Sequence, residues 1–174
     1  MKKLLLVLAL GLGFTSTSHA DLMVEPYIGY EMGSGSLGSD DFKVTSTDLG
    51  LRLGYHSGLM FWGALDYTMG SGTIDPDTGD DQDGKRSTLA AVIGVDLPIL
   101  LRAWVGYGFT NEMKLDSDTL KGKATKIGVG FTALPFVSLN LEVISDEWDE
   151  TSSGGDPDAK NTSYLVSVSL PLNF

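Results

Sequence analysis

The chain has no cysteine, only two histidines, and 12 lysines and arginines against 23 aspartates and glutamates in 174 residues. Without cysteine there are no disulfides, thiolate metal sites or thiol nucleophiles. With a formal net charge of −11, the chain lacks the clustered basic side chains that a phosphate backbone demands, so nucleic acid is not an expected partner. Long apolar runs are missing as well. Beyond residue 20 the nearest is Leu97 to Val105, interrupted by Pro98 and Arg102, and a spanning helix needs roughly 20 apolar residues. Any membrane crossing by this part of the chain therefore uses strands. What the chain does have is 42% hydrophobic residues and 22 glycines alongside its acids. Such a composition requires that acidic and apolar side chains be kept apart in space.

The first twenty residues read as an export leader. Lys2 and Lys3 give a positive start, Leu4 to Phe14 an apolar stretch, and Ser18-His19-Ala20 a small-residue end, which predicts cleavage before Asp21. The remainder, residues 21–174, has room for a single domain. It carries 10 basic and 23 acidic residues, a net charge of −13, and His56 is its sole histidine.

The period of the remainder is two. Ile28, Tyr30 and Met32 alternate with Gly29, Glu31 and Gly33, and Leu49, Leu51, Leu53 and Tyr55 with Asp48, Gly50, Arg52 and Gly54. The same pattern recurs through Phe61–Met69, Leu89–Leu97, Leu101–Phe109, Lys126–Phe131, Val137–Val143 and Tyr164–Phe174. One apolar face and one small or polar face at this period predict eight strands. Their connections alternate too. His56-Ser57-Gly58, Pro98-Ile99-Leu100 and Leu134-Pro135-Phe136 are short, while the other four are long, polar and rich in Gly, Asp and Ser. This predicts an all-β fold, an eight-stranded antiparallel up-and-down transmembrane β-barrel with three short periplasmic turns and four long extracellular loops. Glycine-dominated polar sets suit the narrow lumen of such a barrel better than a solvated outer face. Tyr30, Tyr67, Tyr107, Phe109 and Tyr164 towards one end, and Tyr55, Phe61 and Phe174 towards the other, form two expected interfacial girdles. Turn lengths suggest a register with Asp96 across from Arg102, Leu97 from Leu101, Arg52 from Trp62, and Asp48 from Asp66.

With the leader, eight alternating runs, three short turns and the closing series Tyr164, Val166, Val168, Leu170, Leu172 and Phe174, residues 21–174 resemble the small outer-membrane barrels of the OmpA, OmpX and opacity-protein type. The resemblance implies a location in the outer membrane of a Gram-negative-type bacterium, with outer-membrane lipid and lipopolysaccharide as surroundings. It also implies that the closing series is the signal read by the barrel-assembly machinery. Pro171 departs from the usual pattern, since it removes one ladder donor near the strand end.

The expected lumen charges are Glu25, Asp48, Arg52, Asp66, Asp96, Arg102, Lys126 and Glu142, with Glu31 and Asp146 near the loop end. Isolated charges in so narrow an interior are costly, so pairing is expected, foremost Asp96 with Arg102, and Arg52 shared among carboxylates. Facing acids such as Asp48 and Asp66 would need a neighbouring cation, or one of them protonated. The bland reading of these charges is a polar plug and the sharper one a gate or proton path; small barrels favour the plug.

No cofactor is expected. Asp75, Asp77, Asp80, Asp81 and Asp83 are weak calcium or magnesium candidates, because hard cations take carboxylate oxygens. They fail the calcium-loop pattern, with Gly79 and Asp80 where an oxygen ligand and then glycine are wanted. Asp146, Glu147, Asp149, Glu150, Asp156 and Asp158 form a second acidic stretch. The match of Gly33 to Gly38 with G-x-G-x-x-G opens no helix and reads as a hairpin loop. Acyl chemistry needs a hydroxyl and a base together, and His56 lies in a short turn at the wrong end for outer-leaflet lipid, so an enzyme is not expected. Two classes stay open: a monomeric structural or surface-interaction protein with a filled lumen, and a small-solute or ion transporter.

Overall fold

The computed structural model describes residues 21–174 except 39, 58, 59, 78, 79, 116, 117, 135, 153 and 156. The expected leader, and Gly58, Gly79, Pro135 and Asp156 named above, lie outside the described residues. The strands are β1 (Asp21–Leu37), β2 (Asp40–His56), β3 (Phe61–Pro76), β4 (Gln82–Leu97), β5 (Leu101–Lys114), β6 (Thr119–Leu134), β7 (Val137–Thr151), β8 (Ala159–Ser169) and the two-residue β9 (Leu172–Asn173). Each of β1 to β7 pairs antiparallel with the next, and β1 also pairs with β8 and β9. The sheet closes on itself as an eight-stranded up-and-down barrel, with β9 the continuation of β8.

The alternation sorts the two faces as expected. Leu49, Leu51 and Leu53 point outward and are exposed, as are the aromatic residues of both expected girdles, whereas Asp48, Arg52, Asp66 and Glu142 point inward and are fully buried. Large inward rings need space on the next strand. A Cβ built on Gly94 would lie 2.2 Å from the Trp62 ring, and one on Gly128 2.2 Å from the Trp104 ring. Glycine there is a steric requirement of the filled interior.

The four long loops are a correction. β1 runs to Leu37 and β2 starts at Asp40; β3 runs to Pro76 and β4 starts at Gln82. The segments read as loops are mostly paired strand, with Leu37 opposite Asp40 and Asp75 opposite Lys43. Gly33 to Leu37 is accordingly strand, and Gly38 takes the turn at φ 61°. The reason is physical: where both faces are polar, alternation carries no hydropathy contrast, yet the backbone still pairs.

The short turns hold the other end. Leu97 pairs with Leu101, and Leu100 sits between them at φ 62°, a conformation unfavourable for a residue with a Cβ. Its carbonyl accepts from both the backbone N–H and the hydroxyl of Thr132, at 2.9 and 3.1 Å, which ties the turn to β6. The expected pairings of Asp96 with Arg102 and Leu97 with Leu101 are present. Those of Arg52 with Trp62 and Asp48 with Asp66 are not: Arg52 faces Asp66, His56 faces Trp62, and Asp48 faces Gly70. Because the slip is of even length, every side chain keeps its face.

Pro171 costs the sheet little. The Leu170 N–H donates to the Pro26 carbonyl at 3.0 Å, so position 171 turns away from β1 towards β7, which begins only at Val137. The chain then rejoins β1 through Val24–Leu172 and a reciprocal hydrogen-bonded pair between Leu22 and Phe174, at 2.9 and 3.0 Å.

Candidate functional site: the barrel lumen

The inward side chains are stacked in layers. Nearest the short turns lies an apolar cluster of Met23, Trp62, Ala90, Val92 and Trp104. Above it sits a first charged layer. Arg52 is its hub, reaching Glu142 at 2.5 Å, Asp66 at 3.4 Å and Glu25 at 3.5 Å. Arg102 donates to Glu25 at 2.9 Å and Lys126 to Asp66 at 3.2 Å. Both guanidinium groups also lie over aromatic faces, Arg52 at 4.7 Å from the Trp104 ring and Arg102 at 4.6 Å from the Trp62 ring, where the ring quadrupole attracts a desolvated cation. The Tyr27 hydroxyl donates to Asp66 at 2.8 Å and lies 2.6 Å from the Thr68 hydroxyl.

Tyr27, Ile144 and Leu165 form the next apolar cluster. A second charged layer contains Glu31, Asp48 and Asp146 around one cation, Arg86. Arg86 forks onto Glu31 through both terminal nitrogens and reaches Asp146 at 2.9 Å and Asp48 at 3.2 Å. Neutral donors complete the carboxylates. Asn111 and Asn161 donate to Asp146 at 2.9 and 3.1 Å, Ser163 to Glu31 at 2.6 Å, and Ser46 to Asp48 at 2.5 Å. At the loop end of the lumen, Met113, Leu120, Trp148 and Ala159 make a last apolar cluster, with Phe42, Ile74 and Leu115 packed on it.

The structure thus brings Glu25, Arg52, Asp66, Arg102, Lys126 and Glu142 together, and sets Asp48 in a separate layer. Asp96 belongs to neither. It is half exposed at the short-turn end, and its contact with Arg102 is loose at 3.8 Å. Its closer partners are His56 Nε2 at 2.8 Å and the Trp62 indole N–H at 3.1 Å. Arg86, Tyr27 and Trp148 were not foreseen. Arg86 and Trp148 fall in stretches read as loop; extending the parity of Leu89 back through Ser87 and Lys85 would have turned Arg86 inward. Asp75, Asp77, Asp80, Asp81 and Asp83 are all exposed, and among the described residues no three His, Asp or Glu side chains converge on a common metal position. Tyr164, Val166, Val168, Leu170 and Leu172 share the outward face, and Phe174 ends the series fully outside the lumen.

No protein-family model and no curated protein sequence matches the chain. Solved structures do match. Neisserial surface protein A superposes with a TM-score of 0.59 at 16% identity, over 86% of this chain and 96% of that one. Ail, the attachment invasion locus protein of Yersinia pestis, in its complex with the heparin analogue sucrose octasulfate, gives 0.60 at 13% identity over 87% and 99%. The outer membrane protein OprG from Pseudomonas aeruginosa gives 0.53 at 15% identity over 90% and 99%. The fold of this chain is that of the small eight-stranded outer-membrane β-barrels.

Proposed function

We propose that the chain is an outer-membrane protein of a Gram-negative-type bacterium, exported with its first twenty residues removed. Its lumen is closed by its own side chains, and it serves a structural and surface-interaction role through its acidic loop end. The observation that carries this reading is the pair of charged layers. Each crosses the barrel from strand to strand, and their members are buried against one another. An ion entering would have to break charge-assisted contacts in a low-dielectric interior, at several kcal/mol each. The outward Leu, Ile, Val, Phe and Tyr side chains supply the apolar wall that lipid requires and water would penalise. The closing series through Phe174 is proposed as the segment read by the assembly machinery.

The surface role differs from that of the heparin-analogue complex of Ail. Among the described residues of 37–45, 73–85, 112–123 and 147–160, at the loop end, there are thirteen acids and six lysines. A polyanion would be repelled there, so the expected partners are cationic, including divalent ions that bridge these carboxylates to lipopolysaccharide phosphates. The role is non-catalytic and the working unit a monomer. His56 is engaged with Asp96 at the short-turn end, away from any outer-leaflet substrate.

Planar-bilayer recording of the refolded chain tests the closed lumen. Silence is expected; a stable conductance altered by Arg52→Ala would overturn the reading in favour of a transporter.

A further inference from the structure

Above the second charged layer the lumen opens into an apolar cup. It is a cavity of about 220 Å³ to which every strand from β1 to β8 contributes, with Phe42, Ile74, Met113, Leu120 and Trp148 as its principal walls. Its lining makes it more than unfilled packing. Apolar lining concentrated at the mouth of an otherwise charged and polar lumen leaves any water there with few hydrogen-bond partners, which favours its displacement by an apolar group.

The charge around the cup selects the occupant. Asp40 and Asp41 line it, and the surrounding segments carry the thirteen acids and six lysines counted above. Beneath it, Arg86 is committed to Glu31, Asp48 and Asp146, so the cation under the cup is already engaged and the acids around the rim outnumber its lysines. We propose that the cup is a binding site for a small amphiphilic cation. An alkyl or aryl body of about six carbons fills the space against Trp148, Met113 and Leu120, a size below that of drug-sized ligands. An ammonium head lies in the field of Asp40, Asp41 and their acidic neighbours. This site is independent of whether the barrel conducts.

The three tryptophans provide the readout, since only Trp148 lines the cup. Residues 21–174 are refolded into lipid nanodiscs with ¹⁵N-labelled indoles, and the Trp148 resonance is assigned with Trp148→Phe. Hexylammonium, hexanol and hexanoate, which share one apolar body, are titrated in turn. Hexylammonium is expected to shift the Trp148 resonance saturably, leave Trp62 unmoved, and bind about tenfold more tightly than hexanoate. The exposed rim variant Asp40→Asn/Asp41→Asn should bring that ratio to about one. Leu120→Trp, which fills the cup, should abolish the shift. Heat-modifiable gel mobility verifies that each variant is folded. A Trp148 resonance that hexylammonium leaves in place, or that hexanoate shifts with equal or higher affinity, overturns the proposal.

Discussion

The two charged layers hold the same number of carboxylates and bury them by different chemistry. In the lower layer Glu25, Asp66 and Glu142 meet Arg52, Arg102 and Lys126, charge for charge. In the upper layer Glu31, Asp48 and Asp146 share the single guanidinium of Arg86, and the deficit is met by Asn111, Asn161, Ser46 and Ser163. The lower layer lies between apolar clusters on both sides. The upper one borders a void of about 20 Å³ beside Glu31 and Arg86, below the open cup. Deep burial is matched by full cationic compensation, and an excess of acid is carried only near the mouth, where water is close.

Substitutions that unbalance one layer at a time sharpen this contrast. The largest effect is expected from Arg52→Met, which strips the hub from three fully buried carboxylates. Loss of about 3–5 kcal/mol should appear as a lower urea midpoint, read by heat-modifiable mobility in liposomes. Asp66→Asn removes an acid from the balanced layer and leaves Lys126 and Arg52 in excess, for an expected cost of about 2–3 kcal/mol in the same assay. In the upper layer Asn161→Leu deletes a donor to Asp146 and should cost about 1–2 kcal/mol. Smallest of all is Asp48→Asn. It relieves the acid excess, so its midpoint should stay within about 1 kcal/mol of the parent or rise above it. If Asp48→Asn proved as damaging as Asp66→Asn, the distinction between the layers would fail.

What the sequence made legible was decided by hydropathy contrast. Leu101, Ala103, Val105 and Tyr107 against Arg102, Trp104, Gly106 and Gly108 leave no doubt about face, and a three-residue turn placed Asp96 opposite Arg102. Between β2 and β3 the same contrast could not choose between partners four residues apart. Arg52 facing Trp62 and Arg52 facing Asp66 bury the same side chains, and only the turn length, which includes Met60, tells them apart. The six members of the lower layer and the sharing of Arg52 among carboxylates were therefore legible, whereas the separation of Asp48 into another layer and the closer pairing of Arg102 with Glu25 than with Asp96 were not. Arg86 and Trp148 escaped because their neighbours, Lys85 and Ser87 or Glu147 and Asp149, are polar on both faces. There the chain pairs through its backbone and bears no apolar signature of doing so.

The seam between β1 and β8 sets the timetable of folding. Its partners are far apart along the chain; Ser163 and Glu31 are separated by 132 positions. Neighbouring hairpins can form early from local contacts, but this ladder must wait until the whole intervening chain is in place, which is the slow kind of pairing. Until Leu22 and Phe174 meet, the molecule is an open sheet with two raw edges, each able to recruit another chain. A ribosome stall, a clipped end or a missed docking of the final segment would thus yield an aggregation-prone ribbon instead of a slightly weaker barrel. Closure thus decides between a barrel and two reactive edges, at the one place where the chain's two distant strands join.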